Sequence, residues 1–174
     1  MSKQVVLISG SPSHPSRSGT VLDWFGRALR EAGWQVETFT LDDFEPAALV
    51  RAQAEDPAVT RVRRAVDSAA GVVLSTPVYK ATYAGALKLI VDLFDPKALQ
   101  GKALLGIGTA RIPEHLSEVE VSFQRLAQFF QGSVHVPGLG LLDADLGASP
   151  NYALTQTGRV AFEAALARYL EALP

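Results

Sequence analysis

Three compact apolar runs, Val5–Ile8, Gly71–Ser75 and Ala103–Gly108, each lead through a loop into a stretch whose apolar residues recur at helical spacing. Short buried strands alternating with amphipathic helices are the pattern of a parallel sheet wound with right-handed crossovers and covered by helices on both faces. This alternation leaves few other architectures open.

Filling in the remaining segments makes the pattern specific. A helix is expected from near Thr20 through Ala32, stopped by Gly33, and Trp34–Leu41 alternates apolar and polar residues as a strand near a sheet edge does. A helix from Pro57 keeps Val59, Val62 and Val66 on one face, leaving Arg61, Arg63 and Arg64 as a solvated face. Another follows Gly85 and carries residues from Ala86 to Phe94, and a third runs from about Glu114 to Phe130, closed by Gly132. Ser133–Leu142, interrupted by proline and glycine, reads as an edge strand, and the last helix packs through Val160, Phe162, Ala165 and Leu170. Five strands fit a flavodoxin-like three-layer α/β sandwich with a parallel sheet of order 2-1-3-4-5, in one domain spanning residues 1–174. Ligands of such sheets sit at the carboxyl ends of the strands where the winding reverses, here between strands one and three. The loop after the first strand and the loop Pro77–Gly85 are then neighbours.

The first of these loops, Ser9–Thr20, holds five serines, two glycines, two prolines, one threonine and Arg17. A helix starting at its end points unpaired N–H groups and a positive dipole end at the loop, an arrangement suited to an anion. The same serines also read as helix caps and turn residues. The loop lacks both the G-x-G-x-x-G spacing of dinucleotide folds and the G-K-[ST] of nucleoside triphosphate sites, so it points to a phosphomonoester. The second loop adds Pro77, Tyr79, Tyr83 and Lys80. Flavin mononucleotide (FMN), with a phosphate at one end and a flat ring at the other, suits the pair, while Tyr79 also reads as a packing residue and Tyr83 reads first as one.

Other chemistries find little support. The three histidines, His14, His115 and His135, show no metal-ligand spacing, two of them have no carboxylate nearby in sequence, and no nucleophile elbow is present. Cysteine is absent and the net charge is -2, which excludes thiol chemistry and gives no basic field for nucleic acid. No long apolar run suggests a membrane span, and a cytoplasmic protein is expected.

Ser9-Gly10-Ser11-Pro12, Pro15-Ser16-Arg17-Ser18 and the stretch Thr76–Lys88 together resemble the NAD(P)H-dependent FMN reductases of the alkanesulfonate-utilisation type. The similarity runs from the first strand to about Phe130 and includes Ala98–Lys102. The resemblance implies hydride transfer from NADPH or NADH to FMN, delivery of reduced flavin to a partner monooxygenase, and a homodimer or homotetramer. It assigns Ser11, Ser16, Ser18 and Thr20 to the phosphate loop, Pro77, Val78 and Tyr79 to the ring-binding loop, and Gly108 and Thr109 to a turn flanking the ring. Arg17, Lys80 and Arg111 are added as cations beside these positions. No catalytic side chain and no metal are expected, because flavin carries the reaction. The alternatives are a reductase of quinones, azo dyes or metal ions that retains its FMN, and a flavin electron carrier without nicotinamide turnover. Three departures stand out: Ser13 where the family often has arginine, Thr109-Ala110-Arg111 where it often has Thr-Gly-Gly, and no tyrosine at Glu120-Val121-Ser122.

Overall fold

The computed structural model describes residues 3–174. Its centre is built from β1 (Gln4–Ser9), β3 (Gly71–Tyr79) and β5 (Ala103–Ala110), with β2 (Gln35–Phe39) and β6 (Val134–Leu142) at the edges. These five strands are parallel in the order β2-β1-β3-β5-β6, which, numbered without the short hairpin strand described below, is the expected 2-1-3-4-5. The fold is flavodoxin-like.

Side-chain alternation along the strands explains the two helical layers. Val5 and Leu7 of β1, Val73 of β3 and Leu105 of β5 face α1 (Arg17–Glu31) and α6 (Gln156–Ala172), where Phe25, Leu29, Phe162 and Tyr169 fill the space between. Val6, Ile8, Val72, Leu74 and Leu104 face the other way, toward α3 (Pro57–Ser68), α4 (Gly85–Val91) and α5 (Pro113–Phe129). The short α2 (Pro46–Val50) closes one side of that second core. Each of these fully buried aliphatic side chains contributes about 1.5–3 kcal/mol of transfer free energy. Among the described residues no helix is long and apolar enough to cross a membrane.

Several boundaries differ from expectation, most of them near the carboxyl ends of the strands. The first helix begins at Arg17 rather than near Thr20, because Ser16 takes the N-cap position, so Arg17, Ser18 and Thr20 are helical residues. The third strand continues past Ser75 to Tyr79, then turns back through a two-residue strand, β4 (Thr82–Tyr83), pairing Val78 with Tyr83 and Tyr79 with Thr82. The strand expected to stop at Gly108 reaches Ala110, held by pairing of Thr76 with Gly108 and Pro77 with Thr109. Gly108 and Thr109 therefore lie in a strand and not in a turn. The helix after Gly85 stops at Val91, leaving Leu93 and Phe94 as buried residues of the connection.

Candidate functional site

Gly10 sets the path of the first loop. Its N–H donates to the Ser75 carbonyl at 2.8 Å, and a Cβ at this position would lie 2.3 Å from Leu87 Cβ and 2.8 Å from Leu87 Cα. Only glycine lets the loop lie this close to α4. The chain then reaches Ser16, whose hydroxyl accepts the Gly19 N–H at 3.0 Å, while the Ser16 carbonyl accepts from the Thr20 N–H and the Thr20 hydroxyl, each at 2.9 Å. The capping reading thus holds for Ser16, yet a hydroxyl that accepts one bond keeps its own proton to donate. Among the described residues the amides of Arg17 and Ser18 have no acceptor, as expected for the first positions of a helix. Ser9 and Ser18 hydroxyls are buried without partners, and Ser11 is buried with its hydroxyl engaged only in a 3.3 Å turn with Ser13.

The facing wall is the β3–β4 hairpin. Lys80 and Ala81 occupy its two turn positions with φ of 53° and 64°, the left-handed geometry that matches the twist of a two-residue hairpin. Beneath it, the buried Thr76 hydroxyl accepts the Ala84 N–H and donates to the Pro77 carbonyl, both at 2.8 Å. These bonds fix the two ends of the hairpin relative to each other.

Between the walls lies a cleft of about 340 Å³. Ser11, Ser13, Pro15, Ser16 and Arg17 form its first side, and Pro77, Val78 and Tyr79 its second. Thr109, Ala110 and Arg111 from the end of β5 form the third. Eight of the twelve expected residues are brought together here. The others are not: Thr20 and the buried Ser18 lie on the helix behind the loop, Lys80 sits exposed at the hairpin tip, and Gly108 faces α5, where a Cβ would meet Val119 Cγ1 at 2.7 Å.

Two residues that sequence reasoning missed close the cleft. Asp143 Oδ1 lies 3.3 Å from Arg17 Nε, and the Arg17 guanidinium lies 5.6 Å from the centre of the Tyr152 ring. Both come from the connection between β6 and α6, readable in sequence only as a polar segment. The cation expected beside the phosphate loop is thus shared with a carboxylate and an aromatic face. Two histidines also meet carboxylates that local sequence did not suggest: His14 Nε2 lies 3.3 Å from Asp42, and His135 Nε2 lies 3.1 Å from Glu120. Neither pair lines the cleft.

Comparison with known proteins shows what the chain is similar to. Residues 4–145 match the model of the family described as NADPH-dependent FMN reductase. An FMN reductase (NADPH) of Escherichia coli strain K12 is 36% identical over 121 residues, covering 70% of this chain and 63% of that protein. One from Pseudomonas putida is 36% identical over 135 residues, covering 78% and 68%. The chain thus spans a little under two thirds of the Escherichia coli relative. The apo crystal structure of an NADH:FMN oxidoreductase superposes with a TM-score of 0.88 at 25% identity, covering 98% of this chain and 90% of that one. Tyr152 and α6 lie beyond the segment that the family model matches.

Proposed function

The chain belongs to the NADPH-dependent FMN reductase family, and on that premise we propose that its residues form one FMN-binding domain that oxidises a nicotinamide nucleotide and passes the electrons to FMN held in the cleft. The observation that carries this reading is the meeting, in one cleft, of a serine loop at a helix N-terminus with the Pro77–Tyr79 wall. The residues present fit the group. The first amides of α1, at Arg17 and Ser18, have no acceptor, and the Ser16 hydroxyl in the cleft wall keeps its proton to donate.

The Arg17 and Ser18 amides and the Ser16 O–H donate to the phosphate, the helix dipole adding to them. Ser11 holds the loop in shape, and Thr20 fixes the Ser16 carbonyl from within the helix. Arg17 supplies charge that Asp143 partly offsets. Pro77, Val78, Tyr79 and Thr109, whose strand ends are paired side by side, would hold the ring, and Arg111 would be available to a nucleotide phosphate. Gly108 serves packing against α5, and Lys80 shapes the hairpin from outside. Bound FMN supplies two-electron acceptance from the nucleotide. The chain's own residues position the ring, hold its charge and limit water.

Tyr79 stays 48% exposed at the mouth of the cleft, consistent with reduced flavin leaving for a flavin-dependent monooxygenase. A second copy of the chain covers the α4–α5 face, where Phe129 is 60% exposed, giving the homodimer or homotetramer. Steady-state oxidation of NADPH and of NADH, with and without added FMN, tests the reading. FMN-dependent turnover with at least one nucleotide is expected; none with either would overturn it.

A further inference from the structure

Tyr152 lies in the connection between β6 and α6, on a strap fastened at its base from both sides. Leu146 pairs with Leu154 in an antiparallel bridge, the Gly147 N–H donates to the Ala153 carbonyl at 2.8 Å, and the Thr155 N–H donates to the Asp145 carbonyl at 3.0 Å. The start of α6 is pressed against this base: a Cβ on Gly158 would lie 2.7 Å from the Asp145 carbonyl oxygen. The strap thus delivers the Tyr152 ring to a set place, where it lines both the cleft and a separate cavity of about 410 Å³ between α1 and α6.

On the cleft side the ring faces Arg17, whose guanidinium carbon lies 5.6 Å from the ring centre, within reach of a cation–π attraction. Arg17 is the first residue of α1, so its Cβ is tilted back toward the serine loop. Its Nε is buried and, at 3.3 Å from Asp143 Oδ1, forms an ion pair without a hydrogen bond. The ring attracts the cation through its quadrupole and not through an acceptor atom, and so leaves the N–H donors uncommitted.

We propose that Tyr152 is a positioning residue for the flavin phosphate: its ring braces Arg17 beside the serine loop and thereby strengthens the site's preference for a phosphorylated flavin. The inference rests on the FMN reading of the cleft. Arg17 is otherwise a flexible side chain, 39% exposed, with a carboxylate on one side and water on the other. A fixed ring restricts it before the ligand arrives, which lowers the entropy lost on binding. The brace is also neutral, so unlike Asp143 it does not compete with the phosphate for the positive charge. Two simpler roles for the same residue make different demands. A hydroxyl that itself donates to the phosphate needs the phenol oxygen and not the ring face, and a plug between the two cavities needs bulk and not a π system.

The test is the affinity for FMN and for riboflavin, read by quenching of flavin fluorescence, in the unmodified protein and in Tyr152→Phe, Tyr152→Leu and Arg17→Ala, with Arg17→Ala/Tyr152→Leu completing a double-mutant cycle. Tyr152→Phe keeps the ring and is expected to keep the preference for FMN over riboflavin within about twofold. Tyr152→Leu keeps bulk without a π face and is expected to lower that preference by about three- to tenfold, through weaker FMN binding alone. In the Arg17→Ala background the same change is expected to have no further effect, because the ring acts through Arg17. A loss in Tyr152→Phe equal to that in Tyr152→Leu assigns the effect to the hydroxyl and overturns the proposal. An unchanged preference in Tyr152→Leu, a parallel loss for both flavins, or an undiminished effect in the absence of Arg17 overturns it as well. Each of these results leaves the FMN reading standing while the unmodified protein prefers FMN; equal affinity of the unmodified protein for the two flavins overturns both.

Discussion

The Ser75 hydroxyl donates a 2.7 Å hydrogen bond to the Ser18 carbonyl, with both side chains buried, while the Ser75 carbonyl accepts the Gly10 N–H at 2.8 Å. The end of β3 thereby pins the serine loop at its entry and at its exit into α1. Ser75→Ala removes one of these ties without opening a large cavity. A loss of about 1 kcal/mol is expected, seen as a fall of about 2–4 °C in Tm, together with weaker FMN binding because the α1 amides lose their alignment. Unchanged stability and affinity would show that the loop holds its shape unaided.

Asp143 competes with any anion for Arg17. Asp143→Asn keeps the side-chain shape and removes the negative charge, so FMN affinity should rise by about three- to tenfold, an effect of about 1 kcal/mol or a little more for a partly screened pair. Added salt should shrink the gain. Titration of FMN into both proteins at low and high ionic strength measures it, and equal affinity would remove Arg17 from the phosphate site.

The hairpin turn carries a correctable strain. Ala81 adopts φ of 64° with nothing but a methyl group, a conformation glycine reaches freely. Ala81→Gly is expected to stabilise the protein by up to about 1 kcal/mol while leaving FMN turnover intact, because residue 81 lies outside the cleft. A fall in Tm would mean that the turn's geometry is set by something other than local preference.

Tyr169 in α6 is fully buried, its hydroxyl lies close against Gly71 without a hydrogen-bond partner, and burial pushes its pKa well above the usual tyrosine value. In the folded protein Tyr169 keeps its proton where the unfolded chain loses it, so above about pH 10 the unfolded state binds fewer protons and stability falls as pH rises, by up to about 1.4 kcal/mol per pH unit. Tyr169→Phe should remove that share of the alkaline loss and, by deleting an unpaired buried hydroxyl, add about 1 kcal/mol at neutral pH. Denaturant melts of both proteins at pH 7 and pH 10.5 give the comparison. A destabilised variant at neutral pH would mean that the hydroxyl has a partner.

The parts of this structure that were legible in sequence are those specified by neighbouring residues. Val5–Ile8 and Ala103–Gly108 announce buried strands by composition, and Val21, Leu22, Phe25 and Leu29 announce α1 by period. Ser16 reads both as a cap and as a phosphate ligand; the cap is formed, and a hydroxyl that accepts on one side keeps a proton for the other. What stayed hidden depends on distant partners. Nothing near Pro77 signals that β3 continues, because the extension is held by pairing with Thr109 of β5. The Lys80–Ala81 turn carries none of the asparagine or glycine that usually marks its geometry. Asp143 and Tyr152 reach the cleft from the far end of the chain, and no spacing encodes their meeting with Arg17.

The central claim is that the serine loop holds the phosphate of a flavin whose ring lies against Pro77–Tyr79, and the most direct test is the affinity of the unmodified protein for FMN against riboflavin, which has the same ring and no phosphate. If the α1 amides and the Ser16 and Arg17 groups grip the phosphate, FMN binds tighter by on the order of a hundredfold, the sum of one or two charge-assisted hydrogen bonds. Equal affinity for the two flavins would contradict the account.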